Sequence, residues 1–357
     1  MHEHNYYDGT DCPLTTTHGR ASHMRLGLIG LGRIGAFHAN TLAGIPAIDS
    51  LVVTDIDRSK VQNVVDRFGV ESVDSLKDLF SADVDGVVIA ASTDAHTELI
   101  LASVEAGLPT LCEKPVAPSG AETAELLRRL NGSDVPVQIG FQRRYDTAIA
   151  AAREAVESGA LGWINTIRST TLDPEPPTPE YVAVSGGMFR DCGVHDFDII
   201  RWVTGQEAVE VYATGSNRGA DFFRQYGDVD TSAAIVTFAD GALGVVSNTR
   251  YNARGYDVRL EVHGSKDSVA AGVDEKWPLR SLEPGVTFPS GEPHRFFMDR
   301  FQPAFRAELE TFIDVAAGKR PSPCTVVDGL AADWIAEACA KSLTEHRPVR
   351  IEEVRVT

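Results

Sequence analysis

The sequence predicts an α/β protein in two parts: a doubly wound parallel sheet, then a second α/β domain on a large, mainly antiparallel open sheet. Three observations carry that expectation. From Met24 to about Phe141, short apolar runs alternate with amphipathic stretches, as buried parallel strands joined by right-handed crossover helices require. The texture then changes to longer segments alternating apolar and polar residues, the pattern of antiparallel sheet with one wet face. At 357 residues and 43% hydrophobic, the chain is long enough for two cores.

Taken in order, residues 1–23 are polar and lack apolar periodicity, so they read as a tag or a disordered arm. Their His2, His4 and His18 are not counted as metal ligands. Residues 24–143 form the first domain, with strands at Leu26 to Ile29, Leu51 to Thr54, Gly86 to Ala90, Thr110 to Cys112 and Val135 to Ile139. Helices are expected between them near 34–45, 58–69, 75–80, 95–107 and 119–131. Residues 144–345 form the second domain and residues 346–357 a C-terminal tail. That domain opens on a helix from about Tyr145 to Ser158. Val209, Val211 and Ala213 share one strand face, Val258, Leu260 and Val262 another, and Asp240-Gly241 predicts a two-residue hairpin turn. The stretch from Asp173 to Pro179 holds four prolines. It therefore predicts a stiff excursion that leads to the helix carrying Asp191 or His195 and walls the pocket. Phe301, Phe305, Leu309 and Phe312 recur at helical spacing, and Val327 to Leu343 predicts a further core helix.

Thirty-three basic against fifty-one acidic side chains give a net charge of -18, which repels nucleic-acid phosphates and anionic membranes. A neutral small molecule fits better. No apolar run approaches the length of a membrane span and no secretory core opens the chain, so the expected location is the cytoplasm. Cys12, Cys112, Cys192, Cys324 and Cys339 are odd in number and never in a Cys-x-x-Cys pair, which predicts reduced thiols rather than a disulfide framework or a structural zinc.

Gly30-x-Gly32-x-x-Gly35 follows a predicted strand and opens a predicted helix. That is the context of the dinucleotide fingerprint: a tight turn, room for pyrophosphate and close helix packing, with the helix's positive end toward the phosphates. Asp55 ends the next strand, where a carboxylate accepts from ribose hydroxyls and repels a 2′-phosphate. The expected cofactor is NAD rather than NADP, with Arg58 as the nearby charge that could soften the choice.

Lys114 follows the strand end Thr110-Leu111-Cys112, where open parallel sheets put their ligands. An ammonium there can hold a hydroxyl and steady a developing alkoxide. Asp191 and His195 are four apart, a spacing that on a helix lays both on one face, so the carboxylate could orient the ring and raise its basicity. A satisfied core histidine with a helix-capping aspartate explains the same spacing and stays open at this point. Zinc is not favoured, because Cys192 lies about 100° around a helix from Asp191 and no second cysteine cluster accompanies it.

Together these motifs carry a resemblance. Gly30-x-Gly32-x-x-Gly35, Glu113-Lys114-Pro115, the run from Gly140 to Asp146, Gly186 to Asp191 and His195 to Asp198 resemble the glucose-fructose oxidoreductase, inositol dehydrogenase and rhizopine-catabolism (Gfo/Idh/MocA) family, and within it the myo-inositol 2-dehydrogenases. The resemblance implies a Rossmann domain, a second domain whose open sheet forms a homo-oligomer, tetramer or dimer, and NAD-dependent oxidation of a secondary hydroxyl on a polyol or sugar. It implies Lys114, Asp191 and His195 as the catalytic trio. Arg33, Ile34, Ile56, Ser92, Thr93, His96, Glu113 and Gln142 would line the cofactor beside Gly30, Gly32, Gly35 and Asp55, and Arg143 and Asp173 would approach the substrate. Another sugar or cyclitol, or a sensor that binds the cofactor without chemistry, are the rival readings. Cys192-Gly193, smaller than the residues frequent in inositol enzymes, predict an enlarged pocket.

Overall fold

The computed structural model describes residues 24–355, so the arm at residues 1–23 lies outside the described residues. Six parallel strands form the first sheet: β1 (Met24–Ile29), β2 (Ile48–Thr54), β3 (Glu71–Ser72), β4 (Gly86–Ile89), β5 (Thr110–Glu113) and β6 (Val137–Gly140). Helices α1 (Arg33–Ala43), α2 (Arg58–Phe68), α3 (Leu76–Phe80), α4 (Thr93–Glu105) and α5 (Gly120–Leu130) join them. The order β3-β2-β1-β4-β5-β6 reverses between β1 and β4, and ligands of such sheets sit in the crevice outside the carboxyl ends at that reversal. The short β3 left no apolar signal, because its residues are exposed and polar and it is a strand only through pairing with Val52 and Val53.

The chain continues through α6 (Thr147–Glu157), β7 (Ile164–Leu172), α7 (Pro179–Val182), α8 (Val194–Thr204), β8 (Ala208–Ser216), α9 (Phe222–Gln225), β9 (Thr231–Phe238), β10 (Leu243–Thr249), β11 (Asp257–Gly264), β12 (Ser268–Ala271), α10 (Phe297–Arg300), α11 (Gln302–Ala316), α12 (Val326–Glu345) and β13 (Val349–Arg350). Seven strands form the second sheet in the order β12-β11-β7-β10-β9-β8-β13. It is antiparallel except for β7 against β10, which run parallel and set Leu172 beside Thr249.

Four local expectations change. Val209 leaves the buried face because a bulge between Ala208 and Glu210 shifts the alternation, so Ala208, Val211 and Ala213 point inward. The β9–β10 hairpin turns over three residues: Phe238 N–H donates to the Ala242 carbonyl, Gly241 N–H donates back to Phe238, and Gly241 takes the left-handed φ of +90°. Within the expected tail at 346–357, the described residues 346–355 are not detached, since Val349 pairs with Val211 and both Val349 and Ile351 are buried. The division at residue 144 is also crossed. Helix α11 returns to the first sheet, where Leu309, Phe312 and Ile313 pack with Leu26, Leu28 and Val88, and α12 packs against both α5 and β8. Among the described residues no helix is long and apolar enough to cross a membrane.

Candidate active site

Between the end of β1 and the start of α1 the chain turns through Gly30 and Gly32. A Cβ on Gly30 (φ +90°) would lie 2.6 Å from the Ala91 nitrogen, and one on Gly35 would lie 1.9 Å from the Gly30 carbonyl oxygen, whereas one on Gly32 would meet nothing within 4 Å. Two glycines therefore permit close packing and the third faces open ground. Gly32 is the N-cap of α1 and offers no side chain to its first amides, and no acidic residue lies in the first turn. Uncapped amides at a helix start, open to a crevice, fit a pyrophosphate.

Asp55 ties itself to this turn. Its Oδ2 accepts from Leu31 N–H at 2.6 Å and its Oδ1 from Asp57 N–H at 2.7 Å. Arg58 is drawn aside: it pairs with Asp74 at 2.5 Å and donates to the Val73 and Asp74 carbonyls. Ile56, Arg33 and Ser92 are exposed along the same rim, with Ile34 and Thr93 half-buried behind them. Arg33 lies over the Phe296 and Phe297 rings at 5.1 and 5.5 Å.

His96, Glu113 and Gln142, expected to line the cofactor, are buried beneath that rim. The nitrogens of His96 stand 2.8 Å from the Pro115 carbonyl and 3.2 Å from that of Ala91. Burial lowers the proton affinity of this ring, so the neutral form donates to one carbonyl and braces the turn carrying Lys114. Glu113 Oε1 lies 2.7 Å from His38 Nε2. The Lys114–Pro115 bond is cis.

Lys114 and Asp191 are in contact at the crevice, and His195 lies within reach of the Lys114 charge. Asp191 sits in a π-helical turn, Phe189–Gly193, that runs directly into α8 and His195. Lys114 Nζ donates to the Asp191 carbonyl at 3.1 Å and lies 3.9 Å from its Oδ1. The wider turn breaks the expected four-residue register, a common feature of such turns at functional sites. Asp191 consequently does not hold His195. Its Oδ2 accepts from Arg250 at 2.5 Å and its Oδ1 from the Tyr181 hydroxyl at 2.7 Å. His195 instead packs edge-on against Phe141, with ring centroids 5.9 Å apart and planes at 87°.

The electrostatics follow from this arrangement. Burial would raise the Asp191 carboxyl, but Arg250 and Lys114 outweigh it and hold the group below its ordinary range. The predicted gain in His195 basicity is reversed: burial, then Lys114, then Arg143 push the ring well below its ordinary value. At neutral pH the imidazole is thus unprotonated and able to accept a proton. Burial beside Asp191 raises the Tyr181 phenol, which stays a donor.

Arg143, Asp173 and the Cys192-Gly193 pair each have partners within the protein. Arg143 is 2% exposed and spends its charge on Asp196 at 3.0 Å, a carboxylate that also accepts from Ser169, Thr171 and Asn248. It supports the site from below instead of reaching a substrate. Asp173 accepts from Arg250 at 2.7 Å and so anchors the guanidinium on Asp191. Cys192 packs with Met188 and Val229, and Phe197 closes on Gly193. Sequence reasoning missed Tyr181 and Arg250. The proline-rich excursion delivers Tyr181, and only the parallel β7–β10 pairing sets Arg250 beside Asp173. Among the described residues no group of three or more His, Cys, Asp or Glu could hold a metal ion.

Known proteins resemble the chain over nearly its whole length. A family model described as an oxidoreductase family with an NAD-binding Rossmann fold matches residues 24–141, and one described as the GFO/IDH/MocA C-terminal domain matches residues 149–270. A myo-inositol 2-dehydrogenase of Thermotoga maritima is 36% identical over 334 residues, covering 93% of this chain and 99% of its own. The uncharacterized oxidoreductase YrbE of Bacillus subtilis is 37% identical over 329 residues, covering 91% and 96%. Among solved structures, scyllo-inositol dehydrogenase of Lactobacillus casei with bound cofactor NAD(H) and scyllo-inositol superimposes with a TM-score of 0.83 at 28% identity, covering 92% of this chain and 99% of that one.

Proposed function

The chain belongs to the Gfo/Idh/MocA oxidoreductase family and carries its NAD-binding Rossmann domain, and from that premise we propose that it oxidises a secondary hydroxyl of a cyclic polyol, with myo-inositol to 2-keto-myo-inositol the favoured case. The observation that carries this reading is the Lys114 ammonium held on the Asp191 turn that runs into α8, where its charge helps keep His195 unprotonated, beside the crevice at the β1–β4 reversal. Relatives named for myo-inositol and for scyllo-inositol match nearly the whole chain, which supports a cyclitol substrate.

When bound, NAD supplies the hydride acceptor. Gly30, Gly32, Gly35 and the first turn of α1 would take its phosphates, Asp55 its adenosine ribose, and Arg33, Ile34, Ile56, Ser92 and Thr93 the rim. His96, Glu113 and Gln142 would support it from the layer below. Lys114 would donate to the reacting hydroxyl and stabilise the negative charge that grows on its oxygen. His195 would accept the hydroxyl proton. Asp191, fixed by Arg250 and Tyr181, would hold the ammonium in place and accept from a neighbouring hydroxyl. A neutral ring suits this pocket, since Lys114 and Arg250 are already matched by Asp191 and Asp173.

A panel of inositol isomers, aldoses and anhydrosugars assayed for NADH formation tests the substrate. Turnover of myo-inositol above the others is expected. Turnover of another sugar alone would move the assignment, and NAD binding without any absorbance change would make the chain a sensor. We expect NAD to be preferred to NADP, and Asp55→Asn to narrow the ratio of kcat/KM values about tenfold, the order of one hydrogen bond to a charged group. The amide oxygen can still accept from Leu31 N–H, while Asp57 N–H loses its partner, and an unchanged ratio would remove Asp55 from ribose recognition. Tyr212, Ile235 and Leu243, exposed on adjacent strands of the second sheet, support a homo-oligomer through that face, which light scattering would measure.

A further inference from the structure

We propose that Arg190, Asp333 and Glu337 are positioning residues for the reaction, forming a buried cluster that locks the turn carrying Asp191 onto the loop carrying Lys114. The inference rests on the role assigned to Lys114 and Asp191. It starts from the bond between them. Lys114 Nζ donates to the backbone carbonyl of Asp191, so where the ammonium sits depends on where that backbone turn sits, and a positively charged side chain on four methylenes cannot fix itself. Arg190, one residue before Asp191, supplies the missing constraint.

Its guanidinium reaches three partners on two segments. Nη2 donates to the Ala117 carbonyl at 3.4 Å, three residues beyond Lys114, and pairs with Asp333 of α12 at 3.4 Å. Nη1 donates to Glu337 of the same helix at 3.2 Å. The two carboxylates grip the first domain in turn: Glu337 accepts from Gly120 N–H at 2.6 Å and Asp333 from the Thr123 hydroxyl at 2.8 Å. Two glycines make room. A Cβ on Gly120 would stand 3.0 Å from Glu337 Oε1, and one on Gly186 would stand 2.7 Å from Arg190 Cδ. Arg190 is 8% and Asp333 1% exposed, where a planar fork bound to two carboxylates and a carbonyl is held far more firmly than a surface pair.

The cluster also carries a pH dependence. Burial raises Asp333 to about 6 against the opposing pull of Arg190 and Thr123, with Glu337 adding to the rise. Those three groups, from the π-turn, α5 and its own helix, are the ones that act on it. As pH falls through that value Asp333 takes up a proton, loses its ion pair with Arg190, and the turn loosens. Burial pushes His195 the opposite way, well below its ordinary value, and Asp333→Asn tells the two ionisations apart.

Steady-state kinetics of Arg190→Lys, Asp333→Asn and Glu337→Gln against pH test the proposal, using whichever polyol the wild type oxidises. Arg190→Lys keeps the charge and loses the fork. It should lower kcat about tenfold or more, with the KM for NAD within about twofold of wild type, because the cofactor turn lies in another part of the crevice. Asp333→Asn should erase the limb near pH 6 from the kcat profile. A folded Arg190→Lys protein with kcat within about twofold of wild type, or an Asp333→Asn profile that keeps the limb, would overturn the idea. Glu337→Gln, at a side chain that is itself 28% exposed, replaces Arg190→Lys if that variant fails to fold. If the wild type oxidises no polyol, the reading of the reaction fails. The clamp is then judged by amide exchange in residues 114–120, which Arg190→Lys should accelerate at least about tenfold and which, if unchanged, refutes it.

Discussion

Replacing Lys114 by methionine should lower kcat by about a thousandfold while NAD still binds, within the range that a positioned acid–base group and a charge stabiliser contribute. The side chain is mostly buried, with 17% of it exposed, and its ammonium contacts the Asp191 turn. Methionine fills the same channel with an apolar chain and removes the charge alone. The wild-type ring of His195 is held unprotonated by burial first and by Lys114 second. Without the ammonium its proton affinity rises toward the ordinary value, so the base is more often protonated and residual activity should lose its acid side at a higher pH than wild type. A titration of NAD binding separates the roles. Equal loss of binding and turnover would make Lys114 a cofactor ligand, and kcat within about tenfold of wild type would dismiss it from the chemistry.

Much of this site was legible in the sequence because its parts sit at points where the chain must change direction. Lys114 follows a strand end, the glycines fill a strand-to-helix turn, and Asp55 closes the next strand, so each can be placed from local pattern alone. What stayed hidden depends on pairing or on helix pitch. Nothing in the local sequence announces that β7 and β10 run parallel, and without that pairing Arg250 has no visible relation to Asp173. The four-residue spacing of Asp191 and His195 points to one helix face only if the helix is regular, and a π-turn removes that premise. Arg143 misled for another reason. A motif places an arginine near the crevice but says nothing of the carboxylate below it, and Asp196 belongs to a different helix. The return of α11 to the first sheet is likewise a long-range event, marked in sequence only by an apolar stripe whose partner is unstated.

The second large effect concerns the berth of the cofactor. Gly35→Ala should abolish measurable NAD binding and lower the melting temperature by several degrees, whereas Gly32→Ala should weaken binding without touching stability. Alanine at 35 would put its Cβ 1.9 Å from the Gly30 carbonyl oxygen and 2.8 Å from the carbon. The obstacle is backbone, not a side chain that can turn away. Gly30 has little room to retreat, since it holds a φ of +90° and the backbone of Ala90 and Ala91 lies 2.6 to 2.7 Å from where its own Cβ would stand. The methyl group must therefore prise α1 from the sheet, at about 1–3 kcal/mol for an overpacked site or more when backbone has to move, and the first amides of α1 move with it. Alanine at 32 meets no protein atom within 4 Å, so it folds unhindered and stands only where a phosphate would approach. Differential scanning fluorimetry with and without NAD reads both quantities on the same samples. If Gly35→Ala bound NAD as wild type does, or if Gly32→Ala bound it undiminished, the phosphates would have to lie elsewhere than on this turn, and Asp55 would lose its claim to the ribose with them.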